Sequence, residues 1–238
     1  MSDRKKIVVA VTGGSGVIYA VRISQILLEL GHELHCVVSP TALQIFGHEL
    51  EVVPVSSLKT ENAPKNEASL CFPAAFASKP FSDWFPVADG QKILRFSADE
   101  LAACFAGQAK TFPSDDFFAA IASGSFLTDG MIVVPCSTGT LGSIAAGTNQ
   151  NLIHRAAEVH LKERRRLILV VRETPYSAIH LENMQRITSA GGVILPASPS
   201  FYLKSSALNK LPGELIDTVV ARVLDQLAIP HRLIPRWQ

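Results

Sequence analysis

The sequence predicts one α/β domain spanning residues 1–238, a doubly wound parallel sheet with helices on both faces in three layers. The runs Ile7–Val11, Met131–Pro135 and Leu167–Val171 are continuously apolar, as strands buried on both faces must be. Each is followed by a turn carrying glycine, hydroxyl or charged residues and then by segments of helical period, the alternation that parallel pairing requires. With 47 % hydrophobic and 18 % charged residues over 238 positions, the chain has material for a large core and is not a disordered one.

The first strand, Ile7–Val11, leads through a glycine turn into a helix over Val17–Leu30, with Gly31 as its C-cap. The basic residues before it, MSDRKK, precede an apolar run too short for a leader and ending in glycines rather than a cleavage site. His32–Val38 forms the second strand, and Ser39–Pro40 opens a helix through Ile45. From about residue 55 to 115 the pattern breaks: five prolines, seven of the twelve phenylalanines and no clear period. That density of aromatics marks a packed, Phe-rich insertion rather than a linker. The rhythm resumes with Ser123–Ser125, the strand Met131–Pro135, a turn Cys136–Gly139, and helices over Leu141–Ala146 and Asn151–Glu163. A strand Leu167–Val171, a helix Ser177–Ala190, a strand Val193–Leu195, a helix Gly213–Leu227 and a proline-flanked tail complete the chain.

Composition excludes several functions. Twenty-two basic against twenty-one acidic residues leave a net charge of +1, so no overall field draws nucleic acid. No apolar run reaches the ~18–20 residues of a membrane span, and the positive mean hydropathy of +0.24 points to buried strands or a homo-oligomer interface. Cys36, Cys71, Cys104 and Cys136 form no CxxC pair, and the histidines lack ligand spacing, so no metal site is expected. Free cysteines of this kind suit a reducing cytoplasm.

Two loops carry ligand chemistry. Gly13, Gly14 and Ser15 follow the first strand at a helix start, where backbone amides suit a phosphate. Tyr19 occupies the third position of the dinucleotide glycine pattern and the second strand ends in Ser39 rather than an acid, which disfavours NAD and leaves a mononucleotide such as FMN. Ser137, Thr138, Gly139 and Thr140 offer a second start of the same kind. Either loop alone is equally a tight turn or an N-cap. On the following helix Asn151, Arg155, Glu158 and Lys162 share a face, with Arg155 and Lys162 about 10 Å apart along the axis. Such a stripe grips two phosphates or is a solvated face with internal ion pairs. Arg172 and Glu173 end the next strand, suited to proton handling or to complementing a helix dipole. Cys136 is read as a small buried hydrophobe, not a nucleophile.

Taken together, TGGSGVIYAVR, VVSP, His48–Glu49, IASGSFLTDGMIVVPCSTGTL, NLIHRAAEVHLKERR, LVVRETP, PSFY and RVLDQ resemble the UbiX-type flavin prenyltransferases over residues 5–52 and 117–238. The resemblance implies a Rossmann-like or flavodoxin-like flavoprotein, generally a homododecamer. Its activity would be metal-independent transfer of a dimethylallyl group from dimethylallyl monophosphate to reduced FMN. The reduced flavin's central-ring nitrogen would attack the prenyl carbon, and closure on the neighbouring ring carbon would build a fourth ring. Prenylated FMN would then pass to a UbiD-type decarboxylase, as in ubiquinone biosynthesis.

By resemblance Gly13, Gly14, Ser15, Ser39, Ser137, Thr138, Gly139, Thr140 and Arg155 match FMN-binding positions, and Trp237 a C-terminal aromatic near the flavin. Tyr202 and Arg222 match the prenyl-phosphate pair. Glu49, Lys162 and Glu173 match polar residues of the same site and, with Ser15, its catalytic groups. Departing allylic phosphate needs fixed cations and hydroxyls beside an apolar wall, which these residue types supply. The chain departs from the family in about four extra residues between Tyr202 and Arg222, so Arg222 is assigned by RVLDQ, and in Ser205, Gln150 and His154. Two alternatives share the fold: an FMN-dependent cysteine decarboxylase, and a flavin carrier that needs the loops but not Lys162, Glu173, Tyr202 and Arg222 together.

Overall fold

The computed structural model describes residues 4–49, 87–88, 91–92, 109–201 and 212–236. Strand β1 (Lys6–Val11) leads to helix α1 (Val17–Glu29). Gly31 just beyond α1 has φ +79°, the left-handed residue that ends a helix at little steric cost. Strand β2 (Glu33–Val38) is followed by α2 (Pro40–Glu49). Pro40 suits a first helical position, and Ser39 Oγ accepts the Ala42 N–H at 3.1 Å. The helix runs past the expected Ile45 because Phe46, 1 % exposed, continues its buried face.

Strand β3 (Ala109–Phe112) pairs in parallel with β2, Leu34 against Ala109 and Val37 against Phe112. This corrects the expected run of irregular chain to residue 115. AKTF is half exposed and two of its four residues are polar, so an edge strand here offers no apolar run to read. Val87–Ala88 pairs with Gln91–Lys92 in a two-residue antiparallel ladder. The remainder of the expected insertion lies outside the described residues.

Strand β4 (Gly130–Cys136) continues into α3 (Thr138–Ala145), α4 (Leu152–Lys162), β5 (Arg166–Val171), α5 (Ala178–Ser189), β6 (Val193–Pro196) and α6 (Pro212–Gln226). Helix α3 starts three residues before the expected Leu141, because Ser137 caps it by accepting the Thr140 N–H. Asn151 caps α4 in the same manner, accepting the His154 N–H at 3.0 Å. In β4 the register against β5 shifts between Val133 and Cys136. Pro135 lies inside that irregularity, the kind of place a residue without an N–H is tolerated in a central strand.

The six strands form one parallel sheet in the order β3-β2-β1-β4-β5-β6. Alternate residues face opposite sides. Ile7, Val9, Val11, Ile132 and Val134 pack with α1, α2 and α6, whereas Val8, Ala10, Met131 and Val133 pack with α3, α4 and α5. The expected doubly wound, three-layer α/β architecture is therefore present. The strand order reverses between β1 and β4, and the carboxyl ends of those two strands frame the crevice where open α/β sheets take ligands.

Candidate functional site

At that crevice two loops meet. Thr12, 2 % exposed, directly follows β1; its Oγ1 donates to the Pro135 carbonyl at 2.8 Å and accepts the Ser137 N–H at 2.9 Å. The β1 loop then passes through Gly13, Gly14 and Ser15. A Cβ at Gly13 would lie 2.6 Å from Thr41 Cγ2, and one at Gly14 would lie 3.2 Å from Pro135. The approach of α2 therefore calls for glycine at 13, and the β4 loop leaves Gly14 tightly packed, whatever the loop binds. Gly16, at φ +100°, delivers the chain into α1.

The two helix starts differ in what already occupies them. Glu49, at the end of α2, accepts the Gly16 N–H at 3.0 and 2.9 Å and the Val17 N–H at 3.1 Å. The first amides of α1 are thereby occupied by the protein's own carboxylate. The start of α3 is different. Ser137 Oγ takes the Thr140 N–H, while the N–H groups of Thr138 and Gly139 lie in the first turn, where a helix has no internal acceptors. A Cβ at Gly139 would meet nothing within 4 Å, so protein packing does not demand this glycine, and the backbone there is open. Ser39 stands at the adjoining end of β2, its N–H donating to the Val11 carbonyl at 2.9 Å.

Arg155 lies one turn into α4, half-buried. Its Nε donates to the Ala122 carbonyl at 3.1 Å and one terminal nitrogen to Glu158 at 2.7 Å. Burial works against ionisation of Glu158, but hydrogen bonds from Arg155 and Asn149 hold its carboxyl below the usual range. Glu173 follows β5 at the same sheet edge, with its side chain accepting the Thr174 N–H at 3.0 Å. Burial raises the Tyr19 hydroxyl pKa, and the charge of Arg172 opposes the shift.

Two expected partners lie elsewhere within one chain. Helix α4 runs away from the crevice: Leu152 N–H donates to the Ser114 carbonyl, Arg155 meets Ala122, and His160 Nε2 meets Thr128 Oγ1 at 2.8 Å. Asp129 in turn accepts the Lys6 N–H, where β1 begins. Lys162, paired with Glu163, is thus at the opposite sheet edge from Ser137. Arg222 is on α6, bound to Asp225 at 3.0 Å, and the end of that helix packs at the same far edge, where Lys5 Nζ donates to the Leu227 carbonyl. Within the single chain Lys162 and Arg222 thus lie away from the α3 start: residues sharing a helix face need not share its end. Tyr202 and Trp237 lie outside the described residues.

Cys136 is fully buried, and burial pushes its thiol up to about 12, in keeping with a core role. No helix among the described residues is long and apolar enough to cross a membrane. None of their His, Cys, Asp or Glu groups clusters to hold a metal ion. Thr12 escaped the sequence reading, its only signal being a hydroxyl where β1 otherwise stays apolar.

The flavoprotein family model matches residues 1–224. The flavin prenyltransferase UbiX of Pseudomonas aeruginosa is 37 % identical over 237 residues, covering 100 % of this chain and 96 % of its own. The crystal structure of AnUbiX (PadA1) in complex with FMN and dimethylallyl pyrophosphate is 35 % identical with a TM-score of 0.70, covering 99 % of this chain and 98 % of that one. A dodecameric FMN-dependent UbiX-like decarboxylase from Escherichia coli O157:H7 is 34 % identical with a TM-score of 0.71, covering 98 % and 99 %. The FMN-dependent cysteine decarboxylase TvaF, at 14 % identity and TM-score 0.53 over 94 % and 99 % of the chains, shares the fold alone.

Proposed function

The chain belongs to the flavin prenyltransferases of the flavoprotein family, and we propose that it joins a dimethylallyl group from dimethylallyl monophosphate to reduced FMN at the crevice between β1 and β4. The single observation that carries this is the open start of α3. The Thr138 hydroxyl, two first-turn amides and the unfilled space at Gly139, beside Ser137 and Thr140 whose hydroxyls bond to each other at 3.1 Å, fit the phosphate of FMN, whose reduced ring system supplies the nucleophile when bound.

The chain's own residues divide the remaining work. Gly13, Gly14, Ser15 and Ser39 floor the pocket, and Arg155 brings a half-buried cation to its side. Ser15, Glu49 and Glu173 hold and move protons at the crevice. Tyr202, Lys162 and Arg222 grip the prenyl phosphate and stabilise it as the carbon–oxygen bond breaks, the charge-stabilising role that fixed cations play at a departing phosphate.

Because α4 carries Lys162 away from its own crevice, we assign Lys162 and Arg222 to the site of a neighbouring copy. The dodecameric relative supports an assembly that allows this. The assembly proposed is a cytoplasmic homododecamer handing prenylated FMN to a UbiD-type decarboxylase.

The test is release of phosphate from dimethylallyl monophosphate, and separately of pyrophosphate from the diphosphate, under anaerobic conditions. Release from the monophosphate that depends on reduced FMN supports the assignment. Release independent of flavin, or none from either donor, contradicts it.

A further inference from the structure

The Thr12 hydroxyl joins two backbone groups, the Pro135 carbonyl and the Ser137 N–H. Pro135 sits in the irregularity between Val133 and Cys136, where the β4–β5 ladder loses register. Ser137 precedes α3 as its cap, so its own N–H has no acceptor within the helix. Buried backbone groups without partners are costly. One hydroxyl, 2 % exposed, serves both, donating to Pro135 O at 2.8 Å and accepting from Ser137 N at 2.9 Å. The Thr12 N–H reaches the same carbonyl at 3.3 Å. The end of β1 is therefore fastened to the start of α3 across the point where the strand order reverses.

We infer that Thr12 is a positioning residue for flavin recognition: it fixes the direction of the α3 start, and so of the amides and hydroxyls aimed at the phosphate. The inference rests on the proposal that this start receives the FMN phosphate. Thr12 touches no ligand atom in this account and acts through Ser137. Serine in its place keeps both hydrogen bonds. Valine keeps the shape and loses both.

The test compares dissociation constants for FMN and for riboflavin, which lacks the phosphate, in wild type, Thr12→Ser and Thr12→Val. In Thr12→Val, FMN binding weakens about 10- to 100-fold, the scale of a buried polar contact undone. Riboflavin binding changes little, so the preference for FMN collapses, and Thr12→Ser restores it. Equal weakening of both flavins, or an unchanged preference, overturns the inference. A wild type that binds riboflavin as tightly as FMN overturns the phosphate assignment itself, and this inference with it. Amide exchange in the wild type gives a second measure, independent of whether Thr12→Val folds. The Ser137 N–H is protected before flavin is added; protection that arrives only with FMN contradicts preorganisation by Thr12.

Discussion

The Glu49 carboxylate caps α1 by accepting the Gly16 N–H on both oxygens, at 3.0 and 2.9 Å. A side chain from the last turn of α2 thus fills the place of an anion at the start of another helix, with the macrodipole favouring its charge. Of two loops that look alike in sequence, this leaves the α3 start as the open one. Glu49→Ala should lower stability by about 1 kcal/mol, the typical value of a lost helix cap, measured as a shifted urea midpoint. Prenyl transfer should fall as well, since Glu49 is also assigned to proton movement.

The glycines of the two loops should behave oppositely. In Gly13→Ala the new Cβ meets Thr41 Cγ2 at 2.6 Å, so the protein should lose about 1–3 kcal/mol of stability, as overpacked positions do. Gly139→Ala meets no protein atom and lies within α3. Its stability should hold or rise by up to about 1 kcal/mol, while FMN affinity drops. Thermal melting and flavin titration of the pair separate packing from ligand contact.

Acid should destabilise the fold through buried histidines. His160, 1 % exposed, donates from Nδ1 to the Ala156 carbonyl at 2.7 Å and accepts from Thr128 at Nε2, so the neutral ring is the one that fits. Burial pulls its pKa down to about 4 from 6.5. Burial lowers those of His32, His35 and His154 too. Unfolded chains bind protons below pH 6.5 that the folded protein refuses. Stability is therefore full above that pH and declines toward pH 4, with His160 alone accounting for roughly 3 kcal/mol. Below about pH 4.5 the loss extends to Glu33, which hydrogen bonds from Lys110 and His35 hold at about 2. Urea midpoints from pH 8 to 4 should show this slope, and His160→Gln should flatten it.

Sharing of sites between copies makes a distinct prediction. Lys162→Met should bind FMN normally and lose transfer, as should Arg222→Met. Oligomers reassembled from Lys162→Met subunits and subunits disabled at the α3 start by Ser137→Pro should recover part of the activity, because some crevices then combine an intact start with an intact lysine. Mixtures as inactive as either parent would return Lys162 to its own chain's site or remove it from the mechanism.

Much of this architecture is legible in the sequence because parallel strands covered on both sides must be apolar throughout. Ile7–Val11 and Leu167–Val171 announce themselves for that reason, and Gly31 marks the end of α1. Ala109–Phe112 does not, being an edge strand with Lys110 and Thr111 exposed. The helix bounds erred where side-chain caps extend a helix, at Ser137 for α3, and where a buried Phe46 prolongs α2. For the site, spacing placed Arg155 and Lys162 on one face of α4 correctly. It could not say that seven residues of rise, about 10 Å, carry Lys162 toward the far edge of the sheet. Thr12 was invisible because its importance depends on Pro135 and Ser137, more than a hundred residues away in the chain.

The most direct test of the account is the mass of the flavin after anaerobic incubation with reduced FMN and dimethylallyl monophosphate. A flavin heavier by one dimethylallyl unit, formed by wild type and absent with Lys162→Met, is the predicted result. FMN that binds tightly at the crevice yet is recovered unmodified with both mono- and diphosphate donors would contradict it.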